Sequence, residues 1–595
     1  MRVVVGALLL LTAQVASAQP APTPRAAILR ALPILQQSAK TFVDKRGCVS
    51  CHHNILPILT LHLARERGFK VDAATLSAIE ARTFRELASL TAIDDAVQGT
   101  NVADPTPNDS LLLMAANAAN RPSDLPSEIY ARRLVRWQRT DHWTTSDFRP
   151  PHSSSDFTAT ATAISAISAY LPEALAAERD LVTSRARGWL LATRPQSTED
   201  AAYRLMGLVW AGGASAEDLA RARRDLIAMQ NANGGWSQLP GYSADAYSTG
   251  EALFALSESG VTATDASWQR GQRFLLSTQA RDGTWRVRTR MLSPADVSPP
   301  YFNVGFPYAK DAFLSYAGTS WAVMALLTTL PSTAEDPHVR PTATAAADEE
   351  WLRPALFGST SQLAARLDAG LDANKATARG TTLLMAAAGE PEKVALLLKR
   401  GARPQARATS GADAVTVAST YRGTSASIRL LLDAGAVPAP PEDVHVRRSP
   451  LVYAAMSGDT GIVSLLLARG AAASSDALAE SITFNNIEVT RALLAAGANA
   501  QGKEQTGVTL LHWAVIADRP AAIPLLASAG VDINAKDNAG FTALMYAATV
   551  DLGDARLVSA LLTAGADRTI RNAAGRTPLQ QALSLGHTGL ARALR

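Results

Sequence analysis

The chain of 595 residues has two cysteines, and they stand three apart in Cys48-Val49-Ser50-Cys51-His52. This spacing lets two thiols add to the two vinyl groups of one haem while the adjoining imidazole reaches its iron. It predicts a covalent c-type haem anchored by Cys48 and Cys51, with His52 as the axial ligand of the iron. The alternative chemistry is a short disulfide or redox loop, which has no need of a histidine directly after the second cysteine. Four residues are candidates for the opposite face of the iron, namely His62, Met114, His142 and His152, and an open sixth position is a further option. His53 adjoins the proximal ligand, so it is expected to be exposed rather than to reach the far face.

The compartment has to suit such chemistry. Arg2, the apolar run VVVGALLLL and the small residues Ala16-Ser17-Ala18 read as a secretory signal over residues 1–18, which predicts a periplasmic or secreted protein. That apolar core is too short to span a bilayer, and no later run of about 18 uncharged apolar residues follows, so no transmembrane segment is expected in the mature chain. Hydrophobic residues make up 47% and charged residues 18%, a balance that suits packed domains rather than disorder. A formal charge of +4 without a long Lys/Arg run gives nucleic-acid binding no electrostatic support.

Two stretches poor in large apolar residues mark boundaries, Gln19 to Arg25 and the linker Pro331 to Glu350. The resulting division is a segment 19–59 that carries the cysteine motif, a helical region 60–330, a linker 331–350 and a repeat region 351–595. In the last of these, a glycine recurs after a Leu-rich helical stretch at Gly370, Gly401, Gly435, Gly470, Gly497, Gly530 and Gly565, a period near 33 residues. First-helix segments GTTLLMAAA, SPLVYAA, GVTLLHWAV, GFTALMYAA and GRTPLQQAL each place before the helix a Thr or Ser able to cap free N–H groups. This half resembles the ankyrin repeat family, with about seven repeats. The resemblance implies an α-solenoid that binds an unidentified protein partner, and it makes His512 a structural histidine of the repeat motif. The segment SITFNN around Ser481 to Asn486 departs from the pattern and predicts a bend in the stack.

Region 60–330 has a longer period. Helices open at Asp109, Asp156, Asp200 and Asp245, at intervals of 44 to 47 residues, and alternate with amphipathic helices such as ARRLVRWQ and GQRFLLSTQ. Helical hairpins without strand signals predict a closed or curved all-α array. The turns Gln230-Asn-Ala-Asn-Gly-Gly-Trp236 and Gln279-Ala-Arg-Asp-Gly-Thr-Trp285 share Q-x-x-x-G-x-W, and QRTDHW at Gln138 to Trp143 is a shortened relative. These turns resemble the repeat signature of squalene cyclases and related prenyltransferase-type α/α toroids, so the fold expected of the whole chain is all-α, a toroid followed by an ankyrin solenoid.

The catalytic residues of those families do not carry over. The D-x-D-D acid motif of terpene cyclases is reduced to a lone Asp245 in SADAY, and the zinc ligands of prenyltransferases have no counterpart. The four periodic aspartates are expected to cap helices, which leaves Asp245 a weak candidate acid and no assigned catalytic residue. Asp94-Asp95 reads as a solvated turn. The aromatic, Gly-containing segment 301–318 is expected either to line the toroid mouth or to pack as the last turn. Three functions follow: an exported haem-bearing recognition protein, a toroid enzyme holding an apolar or terpenoid small molecule, and a scaffold with a Cys48–Cys51 disulfide and no cofactor.

Overall fold

The computed structural model describes residues 22–47, 49–89, 91–100, 104–146, 149–152, 154–290, 303–333, 347–439 and 448–595. Residues 1–18, read above as a secretory signal, Cys48 and most of the linker lie outside these residues. Among the described residues the chain is helical with isolated β-bridges alone, and no helix is long and apolar enough to cross a membrane.

Among the described residues the first half contains fourteen α-helices: α1 (Pro24–Lys45), α2 (Leu56–Glu66), α3 (Ala73–Thr83), α4 (Arg85–Ala88), α5 (Ala92–Gln98), α6 (Pro105–Ala118), α7 (Leu125–Trp137), α8 (Asp156–Tyr170), α9 (Ala176–Ala192), α10 (Thr198–Ala211), α11 (Ala216–Ala228), α12 (Ala246–Glu258), α13 (Ala266–Thr278) and α14 (Ala312–Leu327). The inner ring is α2, α6, α8, α10, α12 and α14, each packed against the next, and α14 returns to α2. These staves are rich in Ala, Ser and Thr, so their backbones approach closely. A Cβ on Gly250 of α12 would stand 2.5 Å from the backbone of α14. Amphipathic helices α7, α9, α11 and α13 cover the ring from outside.

The Q-x-x-x-G-x-W turns are the joints. Trp236 and Trp285 are buried, and their indole N–H groups donate to Leu226 O and Leu275 O at 2.8 Å, the last turns of α11 and α13. Trp143 does the same for α7, donating to Leu134 O at 2.7 Å. Each glutamine amide then reaches across to the neighbouring outer helix. Gln138 donates to Val182 O of α9, Gln230 to Ser267 O of α13, and Gln279 to Ala27 O of α1 at 2.9 Å. The last of these bonds closes the ring. Gly283 in the same turn has φ +89° and sits where a Cβ would be 2.3 Å from Arg30 O, so this closure demands glycine. The toroid therefore uses residues 24–59 as well, a stretch whose sequence carries no toroid signature; Tyr316 of α14 also donates to Leu35 O of α1.

The second half is a stack of helix pairs, for example Pro450–Ser457 with Thr460–Ala468 and Leu510–Ile516 with Ile523–Ser528. The first helices begin at the expected caps: the Ser449, Thr509 and Thr577 hydroxyls accept from backbone N–H groups one turn on. The SITFNN segment keeps its helix, Ser475–Thr483. Asn486 then donates to Ala455 O and Met456 O of the preceding repeat, a polar tie between neighbouring repeats.

The stack lies along the toroid. Thr377 and Thr381 donate to the Asp94 carboxylate, Gln98 donates to Thr381 Oγ1 at 2.6 Å, and Tyr453 donates to Gly99 O at 3.0 Å. Asp94 is thus a buried acceptor at this interface and not a solvated turn residue. Further along, Arg139 donates to Phe484 O at 2.6 Å, Arg519 to Thr145 O at 3.0 Å, and Arg290 to Asp551 O at 2.6 Å. Arg139 and Arg519 meet carbonyls at the C-terminal ends of helices or in loops, where partial negative charge favours a cation.

Candidate functional site

Residues Cys51–Ile55 form a π-helical turn that runs into α2, with the Ser50 hydroxyl accepting from His53 N at 3.1 Å. Such turns recur at functional sites, since the wider spiral redirects consecutive side chains. Here it aims Cys51 at the lumen of the toroid and both histidines at α1 and α14. The His52 ring stacks on Phe313 with centroids 4.6 Å apart, and Nδ1 atoms of His52 and His53 meet. His53 is not exposed: it is fully buried, stacked on Tyr316 at 3.9 Å, with Nε2 paired to Ser38 Oγ at 3.2 Å. Burial holds His53 down at about 3, and burial with His53, His152 and Arg149 nearby holds His52 below its ordinary value. Both imidazoles are therefore neutral at neutral pH, the form that binds metal. The segment 301–318 supplies Phe313 and Tyr316, so its described part packs on the motif as the start of the last inner stave.

Cys51 opens onto a cavity of about 250 Å³ that is partly open to solvent. The wall is apolar and aromatic, with Leu59, Leu111, Met206, Trp210, Phe254, Trp321 and Met324, and carboxylates Glu66 and Glu258 belong to it as well. His62, Met114 and His152 line the same cavity, so three of the four candidate sixth ligands share the space that Cys51 faces. His142 does not: it is stacked on Trp189 at 4.5 Å and paired with Asp141 at 2.7 Å, away from this wall. Cys51 brings a thiol, and His62, Met114 and His152 bring imidazole and thioether groups, to one largely apolar enclosure, the donor chemistry that a c-type haem takes, whereas the His52 ring lies outside this wall, against Phe42 and Phe313.

A polar layer, which the sequence pattern does not reveal, divides this cavity from the ankyrin side. On α10 the stripe Glu199, Tyr203, Met206, Trp210 and on α12 the stripe Tyr247, Glu251, Phe254, Glu258 follow helical spacing. Their deep members are buried together. Burial pushes Glu199 up to about 8 against the Thr158 hydroxyl, which donates to it at 2.6 Å. Glu251 is fully buried beside the Tyr247 hydroxyl, neither carboxylate oxygen in a formed hydrogen bond, and burial raises it too. A carboxylate recurring on the inner stripe of two staves was the available signal. Beyond Glu199 lies a larger polar cleft, about 1430 Å³, between the toroid and the repeats.

The periodic aspartates part company. Asp245 is the N-cap of α12, accepting from Ser248 N and Gln238 Nε2 at 2.9 Å each, and it faces neither cavity. Asp200 completes a capping box with Ser197, while Asp156 follows the cap Ser155. Asp109 is not a cap. It lies inside α6 and holds the buried Arg133 guanidinium through two bonds of 2.6 and 2.8 Å.

Residues 176–292 match the family model described as the squalene-hopene cyclase N-terminal domain, a span that includes both complete Gln/Trp turns. Three overlapping matches to ankyrin repeats cover 451–537, 478–572 and 511–595. The chain joins a cyclase-like toroid to an ankyrin-repeat solenoid. The cyclase-like toroid supplies the lumen, and the first helices and following turns of the ankyrin solenoid grip the toroid. His512 is structural, as the repeat motif implies: its Nδ1 meets the Thr509 hydroxyl at 2.9 Å and its Nε2 meets Phe541 O at 3.1 Å.

Proposed function

We propose that the protein is an exported haem-bearing recognition protein, with a c-type haem joined to Cys48 and Cys51 at the toroid lumen and with ankyrin repeats that dock a protein partner. The observation that carries this reading is the placement of Cys51 on the wall of a cavity that also receives imidazole and thioether side chains. Cys48 and Cys51 would hold the macrocycle and His52 its iron; the group would supply one-electron transfer. The chain's own part is to exclude water with Trp321, Phe254 and Leu111, and to keep the histidines neutral by burial. The repeats spend their first-helix face on the toroid, so a partner is expected on their remaining surface. The signal-like segment 1–18 supports the reading, because such a segment directs a chain to the compartment where haem attachment takes place.

The test is expression with the signal segment in a host carrying c-type maturation machinery. Covalent haem is expected in denaturing gels stained for haem peroxidase, with a Soret band in the native protein and loss of both in Cys48→Ala and Cys51→Ala. Protein exported in that host without bound haem overturns the reading; an intact mass short of two hydrogens would then identify the disulfide scaffold.

The apolar lining favours a second reading, a toroid enzyme acting on a terpenoid or other apolar molecule in the same lumen, whose wall carries the carboxylates Glu66 and Glu258. Replacing both, Glu66→Gln with Glu258→Gln, is expected to abolish turnover of a polyprene on that reading, and unchanged turnover removes it.

A further inference from the structure

The cleft between the toroid and the repeats is separate from the cavity that Cys51 faces, and its walls suit a different ligand. We propose that it binds an uncharged saccharide, seated on the ring of Tyr242 and hydrogen-bonded by Glu199 and Arg290.

Charge sets the class of ligand. Five arginines and five aspartates line the cleft, so their fixed charges cancel. Glu199 adds none at neutral pH, because burial holds it protonated up to about 8. A neutral cleft gives no net attraction to an anion or a cation, and an apolar occupant would leave its many donors and acceptors unpaired. Saccharide hydroxyls donate and accept at once and carry no charge. At about 1430 Å³ the cleft exceeds the roughly 300–1,000 Å³ of common small-molecule sites, which leaves room for linked rings.

Three side chains of the toroid half are placed to hold such a chain. Tyr242 lines the cleft with 38% of its surface exposed, and its hydroxyl donates to the Asp551 carboxylate of the repeats, which fixes the ring. A fixed, exposed ring offers an apolar face on which the C–H side of a sugar packs. Arg290 is buried and held by uncharged acceptors, Gln238 Oε1 through Nε at 2.7 Å and Asp551 O through Nη1 at 2.6 Å, so its Nη2 is left for a ligand. Glu199 is 4% exposed, and Thr158 donates to its Oε1 at 2.6 Å, which puts the carboxyl proton on Oε2. That oxygen has no partner among the described residues. A buried donor without an acceptor costs free energy that a ligand hydroxyl recovers. Asp551 ties Tyr242 to Arg290, and Arg290 and Glu199 lie near enough to interact electrostatically, so a ligand of linked rings reaches all three.

The experiment passes the full chain over immobilised short linear oligosaccharides of glucose, xylose and N-acetylglucosamine, with oligogalacturonate and a mixed-charge peptide as comparators, and titrates calorimetrically whatever is retained. Binding to at least one neutral series is expected. Tyr242→Ala should weaken it about tenfold or more, whereas Tyr242→Phe, which keeps the ring but loses the bond to Asp551, should stay within about threefold. Glu199→Gln keeps an uncharged donor and should bind as the native chain does, while Glu199→Leu should lose about tenfold. Thermal melting checks that each variant is folded, and the Tyr242 pair decides the matter if Glu199→Leu is not. Retention of no neutral series marks a solvated gap between the halves and overturns the proposal. Tighter binding of oligogalacturonate or the peptide, equal losses in Tyr242→Ala and Tyr242→Phe, or unchanged binding in folded Glu199→Leu each overturns it as well.

Discussion

The toroid and the ankyrin stack are both built from helical hairpins, yet they differ in what their buried polar groups serve. In the repeats, buried polar side chains serve the backbone: Ser449, Thr509 and Thr577 cap helices, and Asn486 ties one repeat to the next. The toroid has such caps too, at Ser197 and Asp245, but it also takes His53, Glu199 and Glu251 out of water, and these cap no helix. A solenoid has no centre, so its hairpins need only their neighbours. A closed ring has one, and side chains distant in sequence converge there. This difference explains why the candidate chemistry lies in one half and the docking surface in the other.

The comparison can be broken first at a ring joint. Trp236→Ala removes the buried indole that covers the joint beside α11, and it is expected to destabilise the toroid by about 3–5 kcal/mol. Chemical denaturation followed by tryptophan fluorescence and hydrogen exchange should show the toroid opening before the repeats; equal loss of protection in both halves would mean that they fold as one unit.

Next comes pH. Glu199 keeps its proton up to about 8 in the folded state but loses it near 4.5 when unfolded, so its contribution is complete at low pH and fades as pH rises through that window. His53 works in reverse. Its folded value of about 3 lies below the unfolded 6.5, so its contribution is present above 6.5 and lost as pH falls toward 3. Glu199→Gln should therefore flatten the decline between about pH 5 and 8 in urea-unfolding curves. A variant with the unaltered slope would show that another group titrates there.

The interface between the halves is a smaller target. Arg139→Ala removes donors to Phe484 O, Asn486 and Thr144, and a cost of about 1.5–3 kcal/mol is expected. Calorimetry should resolve two transitions where the native protein has fewer, and an unchanged profile would mean that the remaining contacts suffice. The smallest effect is expected in the repeats. Gly470 has φ +96° but open space where a methyl group would stand, so Gly470→Ala should cost only about 1–2 kcal/mol of left-handed strain, measured as a shift of the urea midpoint. Gly283→Ala should cost more, because the same backbone strain is joined there by a clash with Arg30 O.

Much of the fold was legible because its signals are local. A capping Thr, a glycine after a Leu-rich helix and a Gln/Trp turn act within one hairpin, and each of them took its expected place. Of the candidate site, Cys51, His62, Met114 and His152 were named from residue type and line one cavity, but nothing local told them from His142, which lies elsewhere. Asp109 looked like the other periodic aspartates, but its register puts it inside a helix against Arg133, and Asp94 looked solvated until a threonine 287 residues further on covered it. Neither environment has a local signal.

What the sequence by itself determined, then, is the inventory: two kinds of helical hairpin, their joints, and one thiol–imidazole motif. Tertiary structure alone decided that residues 24–59 complete the ring, that Cys51 faces the lumen with His152 and Met114, and that the repeats lie against the toroid. The physical reason is closure. Hairpin formation depends on neighbours a few residues apart, whereas a lumen and an interface are made by surfaces that meet only after the chain has returned on itself, as when Gln279 bonds to Ala27.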